Sequence, residues 1–152
     1  MTDRLPSRKL AELVTLRTEK VVGAKDPNKP YLGLEHMASR EPFLLGIARA
    51  DSSISTNSVF YRGDILFGKL RPNLRKSIQA YFDGYCSTDI LVLHPNSGFD
   101  PGFVARVFQR EEVFNEAVRT AEGTKMPRTS WARLKDYSVF APDNDAERAF
   151  VA

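Results

Sequence analysis

The segment from Ser77 to Leu93 constrains this chain most. Ile78, Ala80 and Phe82 alternate with Ser77, Gln79 and Tyr81, the period of two that gives a strand one buried face. Asp83-Gly84 separates this run from a second, Tyr85 to Leu93. Two residues of Asp-Gly between strand-like runs predict a type I′ hairpin, whose central residues both need positive φ. Ile90 to Leu93 is apolar at every position, which predicts a central strand covered on both faces. Upstream, Val59, Phe60 and Tyr61 lead through an Arg62-Gly63-Asp64 turn into the apolar run Ile65 to Phe67. Arg71-Pro72-Asn73 then breaks the chain, because proline has no N–H to give to a ladder.

Helical signals flank these strands. Ser7 is placed to cap a short helix carrying Leu10, Leu13 and Val14. Gly23 to Pro30 reads as a polar loop, Tyr31 to Met37 as a short strand, Phe43 to Ala48 as an extended stretch and Asp51 to Asn57 as a loop. Asp100-Pro101 starts a helix, since aspartate accepts from the first free amides and proline needs no partner in the first turn. Val107, Phe114, Val118 and Ala121 then fall on one helical face, with Glu111-Glu112 marking a break into two helices and Gly123 a left-handed stop. A basic loop from Thr124 to Thr129 precedes a turn capped by Ser130 through Trp131 and Leu134, then a strand from Tyr137 to Phe140 that Pro142 ends. Asn144 and Glu147 have capping-box spacing, so a new helix is expected there. The sum is an α+β fold: a twisted β-sheet with a hairpin, flanked by a few helices, in a single domain over residues 1–142, with residues 143–152 starting a truncated connecting helix.

A length of 152 residues fits one domain, and 42% hydrophobic with 27% charged residues fits a globular rather than a disordered chain. One cysteine, Cys86, excludes an internal disulfide and a Cys-rich zinc site. No apolar run approaches the roughly 20 residues that span a bilayer, and the N-terminus has no secretory pattern, so a cytoplasmic protein without a membrane role is expected. The net charge of +3 is modest, but its distribution is uneven. Arg62 to Lys76 carries +4, Thr124 to Lys135 carries another +4, and the remainder carries −5. Such segregation is the footprint of a polyanion-binding surface, although each segment also reads as an ordinary solvated face.

Chemistry-bearing motifs are missing. Gly63, Gly68 and Lys69 have P-loop spacing, but Leu70 stands where magnesium needs a hydroxyl, and Ile65 to Phe67 look like a strand rather than a flexible loop. His36 and His94 lie far apart without a second ligand at i+4, and Cys86 reads as a small core residue. Ser87, Thr88 and Asp89 are neighbours on one predicted strand, where successive side chains face opposite ways and form no triad. A glycine-rich dinucleotide fingerprint and the Asp/Asn-Pro-Pro-aromatic motif of amino-group DNA methyltransferases are absent from the sequence. Neither a catalytic residue, a metal nor a cofactor is expected.

Two blocks carry a family resemblance. The first runs Arg62-Gly63-Asp64-Ile65-Leu66-Phe67-Gly68-Lys69-Leu70-Arg71-Pro72-Asn73-Leu74-Arg75-Lys76 and continues at Tyr85 to Leu93 through Ser87-Thr88-Asp89. The second runs Gly123-Thr124-Lys125-Met126-Pro127-Arg128-Thr129-Ser130-Trp131, then Leu134, Pro142 and Glu147, and Tyr31 to His36 adds an early match. In this order the blocks resemble the target recognition domain of type I restriction-modification specificity subunits. The resemblance implies a domain that reads one half of a split duplex target, with long helices on which modification subunits dock and a separate restriction subunit that translocates and cuts. This chain departs from that pattern in having one recognition domain and, past Pro142, only Asn144 to Ala152 of the helix.

On this reading Lys69, Arg71, Asn73, Arg75 and Lys76 in the first basic segment, and Thr124, Lys125 and Arg128 in the second, are the candidate DNA-binding residues. Arginine offers a planar fork to guanine, asparagine an amide to adenine, and lysine a point charge to phosphate. For Asn73 the turn-forming role is the more common one for such a residue. The competing functions are a structural or protein-interaction remnant without DNA affinity, and a small nuclease.

Overall fold

A computed structural model describes residues 6–50 and 55–142. The chain opens with β1 (Ser7–Lys9), the single turn α1 (Leu10–Leu13) and β2 (Val14–Leu16), followed by β3 (Lys20–Val22), β4 (Pro30–Leu32) and β5 (Ala48–Arg49). The centre holds β6 (Thr56–Phe60), β7 (Ile65–Gly68), β8 (Ser77–Gln79), β9 (Gly84–Cys86) and β10 (Ile90–Pro95). Helices α2 (Pro101–Val107), α3 (Glu111–Thr120) and α4 (Trp131–Leu134) precede β11 (Ser138–Phe140).

Three layers result. A four-stranded sheet of order β2-β10-β7-β8 lies between the helices and a five-stranded sheet of order β3-β6-β9-β4-β5, while β1 and β11 pair separately. The apolar runs at residues 65–67 and 90–93 follow from this sandwiching. Ile65, Phe67, Leu91 and Leu93 face α2 and α3, where Phe67 stacks on Phe114 at 5.3 Å and meets Phe108 edge-on at 5.9 Å. Leu66, Ile90 and Val92 face the other way, onto Leu32, Phe60 and Cys86 of the five-stranded sheet. A strand buried on both sides cannot alternate polar with apolar residues. Antiparallel pairing of β10 with β7 sets Leu91 opposite Phe67 and Leu93 opposite Ile65. The α+β class and the central place of β10 match the sequence reading.

The predicted Asp83-Gly84 hairpin does not form. β8 pairs with β7, whereas β9 pairs with β6 and, in parallel, with β4, so the chain changes sheets between them. Neither Asp83 nor Gly84 has positive φ. Glycine is required at position 84 by packing, because a Cβ there would lie 2.7 Å from the Pro30 carbonyl oxygen and 2.8 Å from the Phe60 ring. The expected strand from Tyr85 to Leu93 is likewise two strands. A turn at residues 87–89, in which Ser87 Oγ accepts from the Asp89 N–H at 3.1 Å, carries the chain back to the other sheet.

Smaller expectations also change. Ser7 lies in β1 and caps nothing; α1 follows Lys9, which makes no side-chain cap. The strand at Tyr31 stops at Leu32, and Leu34–His36 forms a 3-10 turn. Of the stretch from Phe43 to Ala48, only Leu44 makes a ladder contact, with Met37, before β5. The loop expected to Asn57 is already strand from Thr56. The helical break falls at residues 108–110, just before Glu111, and the second helix buries Val113, Phe114 and Ala117 while Val118 is exposed. Asp100 caps α2 by accepting from the Phe103 N–H at 2.8 Å, and Ser130 caps α4 from the Arg133 N–H at 3.3 Å, both as the sequence suggests. Asn144 and Glu147 lie outside the described residues.

Candidate nucleic-acid interface

Three loops converge at one end of the four-stranded sheet: the β7–β8 connection, the turn at residues 87–89, and the segment between α3 and α4. The Lys69 N–H donates to the Asp89 carbonyl at 2.9 Å, and the Lys69 carbonyl accepts from the Thr129 N–H at 3.0 Å. The Arg71 N–H donates to the Pro127 carbonyl at 2.7 Å, and Leu70 and Arg128 form an antiparallel bridge. The two basic segments, more than 45 residues apart in sequence, are therefore stitched together by backbone hydrogen bonds.

Each loop has a local reason for its shape. Pro72–Leu74 is a 3-10 turn flanked by Arg71 (φ 50°) and Arg75 (φ 54°), both left-handed. That conformation costs a non-glycine residue about 1–2 kcal/mol. In the other loop, Glu122 and Arg128 exchange backbone hydrogen bonds at 2.9 and 3.0 Å, and Gly123 (φ 110°) makes the reversal between them. Thr129, 3% exposed, anchors the loop to α3 through a 2.8 Å hydroxyl pair with Thr120.

The eight sequence candidates divide by what their side chains do. The Lys76 ammonium is half-buried and donates to the Leu34 carbonyl at 2.6 Å, so its charge fixes the neighbouring 3-10 turn. Arg75 is drawn toward α3, 3.5 Å from Glu111 and 3.4 Å from the Asn115 amide oxygen. Arg128 makes a forked pair with Asp89 at 2.8 and 3.3 Å, which raises its pKa above the ordinary arginine value through that hydrogen bond and charge. Arg71 is exposed and reaches only long contacts, 3.4 Å to the Lys125 carbonyl and to Met126 Sδ. Lys69, Asn73, Thr124 and Lys125 show no side-chain partner among the described residues, and Asn73, Thr124 and Lys125 are exposed. Arg62, counted in the first basic segment, sits at the opposite end of β7, where its N–H donates to Asp83. Asp89 belongs to the resembling Ser87-Thr88-Asp89 run, but no sequence pattern pairs it with Arg128, 39 positions away.

The P-loop-like residues 65–67 are buried strand, and among the described residues no group of three or more His, Cys, Asp or Glu side chains is placed to hold a metal. Cys86 is buried, and desolvation pushes its thiol up to about 12. His36 accepts from the Gly33 N–H at 2.8 Å. Two clefts, of about 180 and 270 Å³, fall below the roughly 300–1,000 Å³ usual for small-molecule sites. No helix among the described residues is long and apolar enough to cross a membrane.

Comparison with known proteins gives the following. The type I restriction enzyme EcoDI specificity subunit of Escherichia coli is 31% identical over 119 residues, a match covering 76% of this chain and 26% of that protein. A chain solved in a study of complex assembly and conformational transition of the type I R-M system superposes with a TM-score of 0.81 at 20% identity, over 99% of this chain and 42% of that one. The HsdS subunit of Thermoanaerobacter tengcongensis gives 0.78 at 21% identity, over 96% and 40%. The S subunit of M. genitalium gives 0.64 at 14% identity, over 99% and 38%. No family model matches the chain. The structural likenesses show a shared fold, and the chain spans less than half of each of these proteins.

Proposed function

From the premise that this chain is a relative of type I restriction-modification specificity subunits, we propose that it is a target recognition domain that binds duplex DNA and reads one half of a bipartite site. The carrying observation is that the loops bearing Lys69, Arg71 and Lys125 are tied together at the backbone, with Arg71 and Lys125 exposed. Lysines there hold phosphates, and Arg71 and Asn73, on an exposed tight turn, are shaped to reach base edges in the major groove. On this reading the chain has no active site. Methyl transfer and cleavage belong to modification and restriction subunits, which a specificity subunit bound at its target directs.

Selection from a randomised duplex pool tests the reading, with enrichment of a short half-site as the expected result. Two phosphate contacts, from Lys69 and Lys125, give a slope of log affinity against log salt of about −1.8. Arg71→Gly keeps the left-handed turn, which glycine adopts freely, and weakens binding by about 1–3 kcal/mol while relaxing preference at one base pair. Affinity that ignores salt, or no duplex binding at low salt, overturns the proposal. The latter outcome favours the structural remnant, in which basic side chains serve the fold as Lys76 and Arg75 already do.

A further inference from the structure

Asp89 is an acid on the surface proposed to meet a polyanion, and its place there needs a reason. Its carboxylate is part-buried, and Arg128 holds it with both Nε and Nη2. Its carbonyl accepts from the Lys69 N–H, and its own N–H is tied to Ser87 Oγ. Arg128 in turn is fixed by its backbone to Glu122 and Leu70. The fork therefore closes a frame whose sides are the 87–89 turn, the β7–β8 loop at Lys69 and the 123–128 loop, and Arg71 hangs from that frame by its N–H to Pro127.

We infer that Arg128 and Asp89 form a positioning pair, which holds the loop carrying Lys125 against the loop carrying Lys69 and Arg71, and that Arg128 does not itself contact DNA. The inference rests on the DNA-binding reading above. Arginine suits the role because its planar fork satisfies both carboxylate oxygens at once, which a lysine ammonium cannot do. The pair also cancels its own charge, so the cations left for DNA are Lys69, Arg71 and Lys125.

Two opposed expectations make the test decisive. If Asp89 were incidental, Asp89→Asn would remove a negative charge from a DNA-facing surface and tighten binding. If the pair positions the loops, the same substitution weakens binding by about fivefold to tenfold, the lower range for a lost arginine contact, and leaves the salt slope unchanged because no phosphate contact is removed. Arg128→Lys, which keeps the charge but not the fork, follows Asp89→Asn. In the protein without DNA, both variants speed amide exchange at Arg71 and Arg128, whose N–H groups bond Pro127 and Glu122. Affinity is measured on a duplex that the unaltered chain binds. Tighter binding by Asp89→Asn, or a slope reduced by about 0.9 in the charge-removing variant Arg128→Gln, overturns the positioning role while leaving DNA binding intact. Absence of binding by the unaltered chain overturns the reading beneath both.

Discussion

Asp64→Ala probes the buried polar junction at the far end of β7. The Asp64 side chain is 1% exposed and is surrounded by donors. Arg17 reaches it with Nε at 2.7 Å and Nη2 at 3.0 Å, the Tyr61 N–H donates at 2.9 Å, and His94 Nδ1 lies 3.2 Å away. Arg17 also stacks over the Tyr61 ring at 4.6 Å, and the hydrogen bond to Asp64 raises its pKa. The junction thus joins the end of β2, the β6–β7 turn and β10. Removing one member of a buried ion pair costs about 3–5 kcal/mol, because the other charge is left behind. Arg17 retains 24% side-chain exposure and can turn to water, which sets its part near the lower figure of about 3 kcal/mol. Loss of the acceptor for the Tyr61 N–H adds about 1 kcal/mol. A loss near 3–4 kcal/mol is a large share of the roughly 5–15 kcal/mol that stabilises a domain, and lowers Tm by about 10 °C at this chain length. Urea denaturation followed by far-UV circular dichroism measures it. The double variant Asp64→Leu with Arg17→Met recovers most of the loss, since it leaves neither charge unpaired. A loss below about 1 kcal/mol for Asp64→Ala, or no recovery in the double variant, refutes the account of this junction.

Two further outcomes follow from the packing. Gly84→Ala, whose new methyl group meets the Pro30 carbonyl and the Phe60 ring, costs about 1–3 kcal/mol by urea denaturation, and an unchanged midpoint would show that this approach is not close. Cys86, buried with its thiol pushed up to about 12, stays unlabelled by a thiol reagent at pH 8 in the native protein and reacts once urea unfolds it. Native-state labelling at the rate of a free thiol would contradict its burial.

What the sequence determined on its own was local or periodic. Two-sided apolar runs at residues 65–67 and 90–93 made those strands central wherever they paired, because only a sheet covered on both faces hides such side chains. Asp100 and Ser130 announced their helices, since a cap acts over three residues of chain. The segregation of charge pointed to two basic segments before anything placed them together. Tertiary structure decided the rest. Asp83-Gly84 carries the letters of a hairpin, yet the strands around it enter different sheets, and Gly84 is there because Phe60 and Pro30 leave room for no Cβ. Val118 has the right period to be buried, but α3 packs through Val113, Phe114 and Ala117, which leaves Val118 at the solvent edge of that face. Lys76 and Arg75 look equivalent to Lys69 and Arg71 in sequence, and only the neighbouring Leu34 carbonyl, Glu111 and Asn115 draw their charges inward. Composition along the chain records which residues are charged. Which of those charges remains free depends on partners brought close by loops distant in sequence, and that information exists only in the folded molecule.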